Sequence, residues 1–531
     1  MADISAHRGD GTDTPRRSER IDPWVFGIAA AISTAFVVWG AVDNEGVATV
    51  ADDVLSWIIE TFGWMFVLST AAFLAFAAIL AFSRLGRLRL GKDDDRPEFR
   101  TASWVAMMFS AGMGIGLMFF AVAEPISHLT APPAGTERAG TEAAAQQAMA
   151  LSYFHWALHP WAIYAVVGLA LAYFSFRRGL PTLISSAFHP LLGDRIHGPI
   201  GRSIDILAIF ATLFGSATSL GLGALQINSG LDFLWGVEPA DGIAVAIIAV
   251  LTAAFVVSAV SGVHRGIQWL SNTNMVLAIV LVLFLLVVGP TVFQLETLVE
   301  SIGGYLTTIV PASFRTGAFG DQEWLSGWTI FYWAWWISWA PFVGTFIARI
   351  SKGRTVREFV VGVLLVPSGV SFIWFAVFGG AAIDLQLSGA ADLGGVVGQP
   401  EIALFTTLEE FPLSGIASFV VIVLVALFFV SGADAASLVM GMLSTRGSLS
   451  PPRAVTILWG TSTGAAAGIL LLANGLEALQ QAAIIAAAPF TLVMIGLCVS
   501  LFKGMASEAS ALVVPERVPR ETEVAPRIPT S

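Results

Sequence analysis

Aromatic side chains are concentrated in one apolar segment, residues 328–342, which reads WTIFYWAWWISWAPF. Five of them follow the spacing of one helical face (i, i+4, i+7, i+8, i+11): Trp328, Tyr332, Trp335, Trp336 and Trp339. Tryptophans of a membrane-interface belt lie at span ends, whereas these run through the middle. Aromatic faces attract a cation that lacks hydrogen-bond donors, by roughly 2 kcal/mol or more in a desolvated site. The segment therefore predicts a site for a quaternary ammonium group, with aromatic packing between helices as the alternative.

Three glycines alternate along the apolar segment 104–123, at Gly112, Gly114 and Gly116. Each weakens a helix by roughly 1 kcal/mol relative to alanine and frees backbone N–H and C=O groups. Inside a membrane such groups must be buried in protein or face a ligand or cavity. The spacing predicts either a ligand site or close packing between helices. The following Glu124-Pro125 predicts the end of the helix.

A second aromatic group lies in the string FHWALHPWAIY, where Trp156, Trp161 and Tyr164 fall about one and two helical turns apart. Pro160 is expected to break the hydrogen-bond ladder of this helix. His155 and His159 are one turn apart, as proton carriers or a metal-binding pair could be. Because the sequence offers no obvious third ligand, we favour a structural role for both histidines.

Hydroxyl and acidic groups inside the apolar segments are few. Thr212 and Ser216 are one turn apart and could ligate Na⁺ or bond back to their own helix, and taken alone the second reading is favoured. Asp434 is an acid within an apolar segment, which predicts a cation ligand, a proton relay or a helix-capping group.

The whole chain is too apolar for a water-soluble protein. Of its 531 residues 56% are hydrophobic and only 12% are charged, against about 25% charged in soluble domains. Its single cysteine excludes a disulfide framework, and the formal net charge of -11 identifies no partner. Hydropathy predicts twelve transmembrane spans near residues 24–42, 57–83, 104–123, 147–174, 204–227, 242–260, 271–290, 328–348, 358–382, 415–442, 453–474 and 480–502.

Charge in the loops predicts the orientation of these spans. The loops on one predicted side carry almost all the lysines and arginines, whereas the opposite loops carry only Arg138 and Arg315. Since basic residues are retained on the cytoplasmic side, both termini are expected to be cytoplasmic in a multi-pass protein of the cell membrane.

The spans group into two halves of five behind two leading spans. Between the halves, segment 291–309 is amphipathic and is expected to lie along the interface. An odd number of spans forces the second half to insert upside down, and inverted repeats are typical of secondary transporters. No G-x-x-x-x-G-K-[ST] motif is present, which argues against a self-contained ATP-driven pump, while a channel remains an alternative. The expected organisation is a tail (1–22), two leading helices and a basic loop (23–100), a first repeat (101–290), an interfacial helix and loop (291–327), a second repeat (328–502) and a tail (503–531).

Four strings taken together resemble the betaine/choline/carnitine transporter family: SAGMGIGLMFFAVAEP, FHWALHPWAIY, ATLFGSATSLGLGALQ and WTIFYWAWWISWAPFVGTFIARISKGRTVREF. The resemblance covers roughly residues 100–500. It implies an all-α membrane protein of twelve transmembrane helices with a LeuT-like 5+5 inverted repeat preceded by two helices. It also implies a secondary transporter rather than an enzyme, with no cofactor, assembled as a homotrimer.

The resemblance further assigns roles to single residues. The box around a trimethylammonium group would be formed by Trp156, Trp161, Tyr164 and Trp336. The substrate carboxylate would face Trp339 and the glycine segment, namely Gly112, Met113, Gly114 and Gly116. Access routes would pass Trp333, Trp335 and Phe342. One sodium site would use Thr212, Ser216 and Phe342, and a second the carbonyls of Ala111 and Met113 with Ser431, while Asp434 is a further candidate.

Substrate and coupling ion follow from single positions within the resemblance. Family members with an acid at the position of Gly116 resemble choline carriers, so glycine here favours a zwitterion such as glycine betaine, a compatible solute. Met275 stands where sodium-independent carnitine exchangers are thought to carry arginine, which favours sodium symport. Gly432 removes one hydroxyl from the second sodium site. The alternative is a proton-coupled choline or carnitine transporter.

Overall fold

The computed structural model describes residues 21–112, 114–261 and 264–513. These residues form helices and contain no strand, apart from one isolated antiparallel bridge between Arg89 and Thr355. The α-helices are α1 (Pro23–Val42), α2 (Asn44–Phe82), α3 (Thr101–Gly112), α4 (Ile115–Thr130), α5 (Glu142–Trp156), α6 (Leu158–Ala172), α7 (His189–Leu192), α8 (Pro199–Trp235), α9 (Asp241–Ser261), α10 (His264–Val288), α11 (Thr291–Ser313), α12 (Gln322–Leu325), α13 (Phe331–Ile350), α14 (Val356–Ser388), α15 (Ala403–Glu409), α16 (Ser414–Ser444) and α17 (Arg453–Val513).

Within the described residues, eight helices are long and apolar enough to cross a bilayer, or nine if the bent pair α10 and α11 counts as one span. The protein is therefore a multi-pass membrane protein, and the expected number of twelve spans stays a prediction. Two predicted spans, 453–474 and 480–502, fall within the single helix α17. The predicted span 328–348 corresponds mainly to α13, whose four tryptophans and one tyrosine lower its hydropathy.

Several helices are interrupted where the sequence contains helix-breaking residues. Gly289-Pro290 separates α10 from α11, and the two helices are bent by 112°. Such a bend directs the amphipathic α11 away from the axis of the preceding helix, as an interfacial helix requires. In α17 the backbone is non-helical at Asn474 (φ -155°, ψ 32°) and Gly475 (φ 58°, ψ -129°), between the two spans predicted for this region.

Two local predictions are wrong. Glu124-Pro125 does not end a helix, because α4 continues to Thr130 with Pro125 inside it and Glu124 fully buried. The break near Pro160 lies at Ala157 (φ -106°, ψ -116°), between α5 and α6. Pro160 instead occupies the first turn of α6, where a missing N–H removes no helical bond.

The aromatic helix α13 lies at the centre of the bundle. It packs against α6, α8 and α17, and its Tyr332, Trp333 and Trp335 are buried. Apolar side chains on α1, α2, α9 and α10 remain exposed, as expected of a surface that faces lipid.

Candidate binding site

A cavity between α4, α6, α8, α13 and α14 is lined mainly by aromatic side chains. Seven residues that the sequence predicts for the substrate site line it: Gly114, Gly116, Trp156, Trp161, Tyr164, Trp336 and Trp339. Trp335, predicted for an access route, also lines this cavity, together with Ser219 and Ser371. Helices that are distant in the sequence thus bring the two aromatic groups and the glycine segment together.

The four rings predicted for the box meet edge to face, whereas Trp335 stacks on Trp336 (4.8 Å, 15°). Trp156 and Trp336 have centroids 4.9 Å apart at 75°, and Trp161 and Tyr164 are 5.3 Å apart at 77°. Tyr164 and Trp336 are 6.3 Å apart at 80°. Mutually tilted rings present faces in several directions, which suits a compact trimethylammonium group better than a flat ligand.

Hydrogen bonds fix the tryptophans of α13. Trp336 Nε1 donates to the carbonyl of His155 (3.0 Å), and Trp339 Nε1 donates to the carbonyl of Gly215 (2.8 Å). Trp335 Nε1 donates to Ser219 Oγ (3.2 Å) and lies 3.4 Å from the Gly215 carbonyl. The indole N–H groups of Trp335, Trp336 and Trp339 therefore each have an acceptor, and these three rings are held by α5 and α8 rather than by packing alone.

The glycine segment opens the helix at the cavity. α4 begins at Ile115 after the extended Gly114 (φ -170°, ψ -179°), and no side chain caps its first turn. The free N–H groups at a helix N-terminus attract an anionic group. Met113 lies outside the described residues, and the surroundings of Ala111 and Gly112 are not described either, so the contacts predicted for these three residues stay predictions.

Gly116 has no room for a side chain. A Cβ atom there would lie 2.6 Å from Trp335 Cη2 and 2.8 Å from Trp156 Cη2. Carbon atoms that are not bonded to each other essentially never come this close, so the rings of Trp335 and Trp156 would both have to move. Glycine at this position therefore lets the backbone of α4 approach the two indoles directly.

The hydroxyls predicted for the first sodium site lie near the point where α8 crosses α13 at Gly215. Thr212 is fully buried and its hydroxyl donates to the Ala208 carbonyl of its own helix (2.8 Å), while Ser216 is also buried. Phe342 packs edge to face on Trp339, with centroids 5.4 Å apart.

Of the residues predicted around the second sodium site, Ser431 lies on α16, as does the further candidate Asp434. Ser431 donates to the Phe428 carbonyl (3.3 Å) and lies 3.4 Å from Asn274 Nδ2, which can donate to it. Asp434 is buried, and the Ser258 hydroxyl lies 3.5 Å from its Oδ2. These contacts join α16 to α9 and α10.

The predicted access residues occupy different places. Phe342 lines a larger cavity with Arg349 and Lys352, whereas Trp333 is buried and stacks on His159 (5.3 Å, 20°). Glu98 at this larger cavity accepts two bonds from Arg349, 2.7 and 2.9 Å long, and the guanidinium keeps the pKa of Glu98 below its usual range. Phe342 thus lies between the aromatic cavity and a basic opening.

Sequence reasoning missed Glu124, the centre of a buried polar network behind the aromatic wall. Its carboxylate accepts bonds from Trp156 Nε1 (2.6 Å) and the Tyr332 hydroxyl (2.6 Å). His155 Nδ1 lies 2.7 Å and His128 Nε2 3.3 Å from the same carboxylate. The ligand-type atoms of Glu124, His128 and His155 lie within 4.8 Å of one another. The spacing of Glu124 and His128, one turn apart in an apolar helix, was the available signal.

The two histidines predicted as a pair have separate surroundings. His155 contacts Glu124 and Thr329, whose hydroxyl is 3.0 Å from Nε2. His159 Nε2 is 2.8 Å from the Ser313 hydroxyl on α11. The favoured structural role fits His159, whereas His155 belongs to the polar network behind the box.

Comparison with known proteins agrees with this arrangement. The family described as "BCCT, betaine/carnitine/choline family transporter" matches residues 24–510. The chain is 46% identical over 506 residues to "Glycine betaine transporter OpuD" of Bacillus subtilis, covering 94% of this chain and 98% of the relative. It is 43% identical to "Glycine betaine transporter 1" of Vibrio parahaemolyticus, and the match covers 95% of this chain and 99% of that relative. It is 41% identical to "Betaine/ectoine transporter LcoP" of Corynebacterium glutamicum, and the match covers 95% of this chain and 81% of that relative. These relatives are transporters rather than enzymes, and the chain belongs to the betaine/carnitine/choline transporter family.

Proposed function

We propose that the protein takes up glycine betaine, or a related quaternary-ammonium zwitterion, in symport with sodium. The observation that carries this proposal is the box of Trp156, Trp161, Tyr164 and Trp336 around one cavity. A trimethylammonium group has no N–H to donate, so aromatic faces are the natural surface to bind it. Relatives at 43 to 46% identity named as glycine betaine transporters support the same substrate.

The opposite side of the cavity suits a carboxylate. Gly114 and the uncapped first turn of α4 present backbone N–H groups, and Gly116 brings that backbone against the indoles. No acidic side chain lines the cavity among the described residues, so a substrate that carries its own negative charge is preferred over a plain cation. The segment of Gly112 and Met113 is proposed to complete this side.

Sodium is the proposed coupling ion. Thr212, Ser216 and Phe342 are proposed for one site, since α8 crosses α13 next to Ser216 and Phe342 packs on Trp339. Buried hydroxyl and carbonyl oxygens are suitable ligands for a hard cation. A second site would use Ser431, with Asp434 nearby on the same helix and the carbonyls of Ala111 and Met113.

We also propose twelve spans, two inverted repeats at residues 101–290 and 328–502, cytoplasmic termini and a homotrimer. The 61 residues of α17 would measure about 90 Å as one straight helix, three times the thickness of a bilayer core. The break at Asn474 and Gly475 supports two spans in this region. Cross-linking of the protein in its membrane, followed by mass measurement, tests the trimer.

Uptake into proteoliposomes tests the function. Labelled glycine betaine is expected to accumulate under an inward sodium gradient and not under a proton gradient alone. Equal accumulation under both gradients would refute sodium coupling, and choline uptake that follows pH and ignores sodium would favour the proton-coupled alternative. Absence of any uptake of betaine, choline or carnitine would refute the proposal as a whole.

A further inference from the structure

A carboxylate lies directly behind the aromatic wall of the cavity but does not line it. Glu124 is 0% exposed, on the third turn of a helix whose first residues form the glycine side of the site. A buried acid in a membrane protein is costly unless it is paired and hydrogen-bonded, so its retention needs a reason.

The bonds of Glu124 divide between its two oxygens. Oε2 faces Trp156 Nε1 and the Tyr332 hydroxyl, both 2.6 Å away. Oε1 faces His155 Nδ1 at 2.7 Å and His128 Nε2 at 3.3 Å. An indole N–H can only donate, and an ionised carboxylate is the group that accepts from several donors on both oxygens.

The two bonds to Oε2 connect Glu124 to the rings that line the cavity. Trp156 itself lines the cavity, and Tyr332 stacks on Trp336, which lines it too, with centroids 6.0 Å apart at 16°. The carboxylate is therefore one aromatic ring away from the cavity through Trp156, and two rings away through Tyr332 and Trp336. Since Glu124 is 0% exposed, its charge is only weakly screened by solvent.

We propose that Glu124 is a positioning and specificity-determining residue of the box: it holds the Trp156 and Tyr332 rings in place, and its negative charge favours ligands with a quaternary nitrogen. This inference deepens the proposed function and depends on it. Gly116 contributes no charge to the site, whereas the Glu124 carboxylate is hydrogen-bonded to the aromatic wall itself, at Trp156 Nε1.

The charge makes a prediction that ring positioning alone does not make. tert-Butylacetate, the carboxylate (CH3)3C–CH2–COO⁻, has the shape of glycine betaine, but a neutral carbon replaces the quaternary nitrogen of betaine. Glu124 attracts the positive head of betaine and has no such attraction for the isostere. Its removal should therefore lower the preference for betaine, whereas a loosened box would weaken both ligands alike.

The experiment compares the purified wild-type protein with Glu124→Gln by titration calorimetry, with glycine betaine and tert-butylacetate as ligands. Binding of betaine to the wild type tests the proposed function first, and its absence would reject that function without reference to Glu124. For Glu124→Gln we expect betaine affinity to fall at least about tenfold, a loss of about 1.4 kcal/mol. The affinity for tert-butylacetate is expected to fall by a smaller factor, because this ligand loses only the positioning of the rings and not the attraction of the charge.

Two results would overturn the proposal: an unchanged betaine affinity, or an equal loss for both ligands. Asp205→Asn is the matched control, because Asp205 is another buried acid that lies outside the cavity and accepts bonds from Ser185 N (2.9 Å) and Oγ (2.7 Å). The betaine affinity of this variant should equal that of the wild type. If Glu124→Gln does not elute as a folded protein, Glu124→Asp decides. This variant keeps the charge and should keep the preference for betaine, and a folded Glu124→Asp protein without that preference would contradict the proposal.

Discussion

Trp156 makes three contacts that together fix its ring. Its Nε1 donates to Glu124, its ring meets Trp336 edge to face at 4.9 Å, and its Cη2 lies close to the backbone at Gly116. The first contact sets the rotation of the ring, the second its tilt and the third its depth in the cavity. A ring held in this way is pre-organised for a ligand and loses little entropy on binding.

At the scale of residues, the sequence predicted the groups that have an unusual type or spacing. Clustered tryptophans and alternating glycines were visible as patterns, and the structure brings them to one cavity. Glu124 was interpreted as a helix end because proline follows it. Its role depends on partners 31, 32 and 208 positions away, and no local pattern contains that information.

Replacing Trp336 with leucine should remove one wall of the box. The loss of a desolvated cation–π contact of about 2 kcal/mol corresponds to a KM for betaine uptake raised roughly 30-fold. Trp336→Phe keeps an aromatic face and should stay within about fivefold of the wild type. Uptake by the leucine variant with wild-type KM, at equal amounts of protein in the membrane, would contradict the assignment of this ring.

Replacing Gly116 with alanine should crowd the cavity. The new methyl group would meet Trp335 and Trp156 at 2.6 and 2.8 Å, and overpacking of this kind costs about 1 to 3 kcal/mol. We expect betaine affinity to fall by about tenfold or more as the rings shift. Gly369→Ala is the control, since its added Cβ has no heavy atom within 4 Å apart from its chain neighbours and the backbone of its own helix. Equal affinities in the two variants would show that Gly116 does not shape the site.

The breaks in the helices position the site at the scale of elements. Between α5 and α6, the chain leaves helical geometry at Ala157, and the freed groups find partners elsewhere: Ser371 Oγ donates to the Trp156 carbonyl (2.9 Å), and the N–H of Leu158 points to the Tyr305 hydroxyl (3.4 Å). Alanine favours helix, so the break could not be predicted locally. It depends on side chains of α14 and α11, whereas breaks at glycine and proline were visible in the sequence.

The break in α17 should depend on Gly475. Its φ of 58° with ψ of -129° is a backbone conformation that residues other than glycine rarely adopt. Gly475→Ala should therefore lower the free energy of unfolding by about 1 to 3 kcal/mol. A lower melting temperature of the detergent-purified protein is expected. Gly468→Ala in the same helix has only Val245 Cγ1 at 4.0 Å from its added Cβ and should melt as the wild type does. Indistinguishable melting of both variants would argue against a sharp break at this glycine.

At the scale of the whole molecule, ion pairs tie together parts of the chain that are far apart in sequence. Arg177, just after α6, pairs with Glu508 near the end of α17 and with Asp93 in the loop after α2. The same guanidinium donates to the Gly91 carbonyl (2.9 Å), and the Tyr173 hydroxyl donates to Glu508 (2.7 Å). The charge count of the loops predicted a basic face here but could not predict which acid each arginine would meet.

Glu508→Gln should therefore destabilise the molecule more than the loss of an exposed ion pair. Arg177 is 8% and Glu508 16% exposed, and the substitution leaves the largely buried guanidinium with Asp93, which is 79% exposed, as its remaining acidic partner. Loss of a charged partner from a largely buried group costs about 1 to 3 kcal/mol. Glu98→Gln is the matched control, because Arg349 and Glu98 are 50% and 40% exposed and such pairs contribute about 0 to 1 kcal/mol. Melting of the two purified variants in parallel should give a clearly larger decrease for Glu508→Gln. The difference in melting temperature between the two variants should persist at high salt, since a largely buried pair is weakly screened. Equal decreases in melting temperature would mean that Glu508 does not join the last helix to the rest of the bundle.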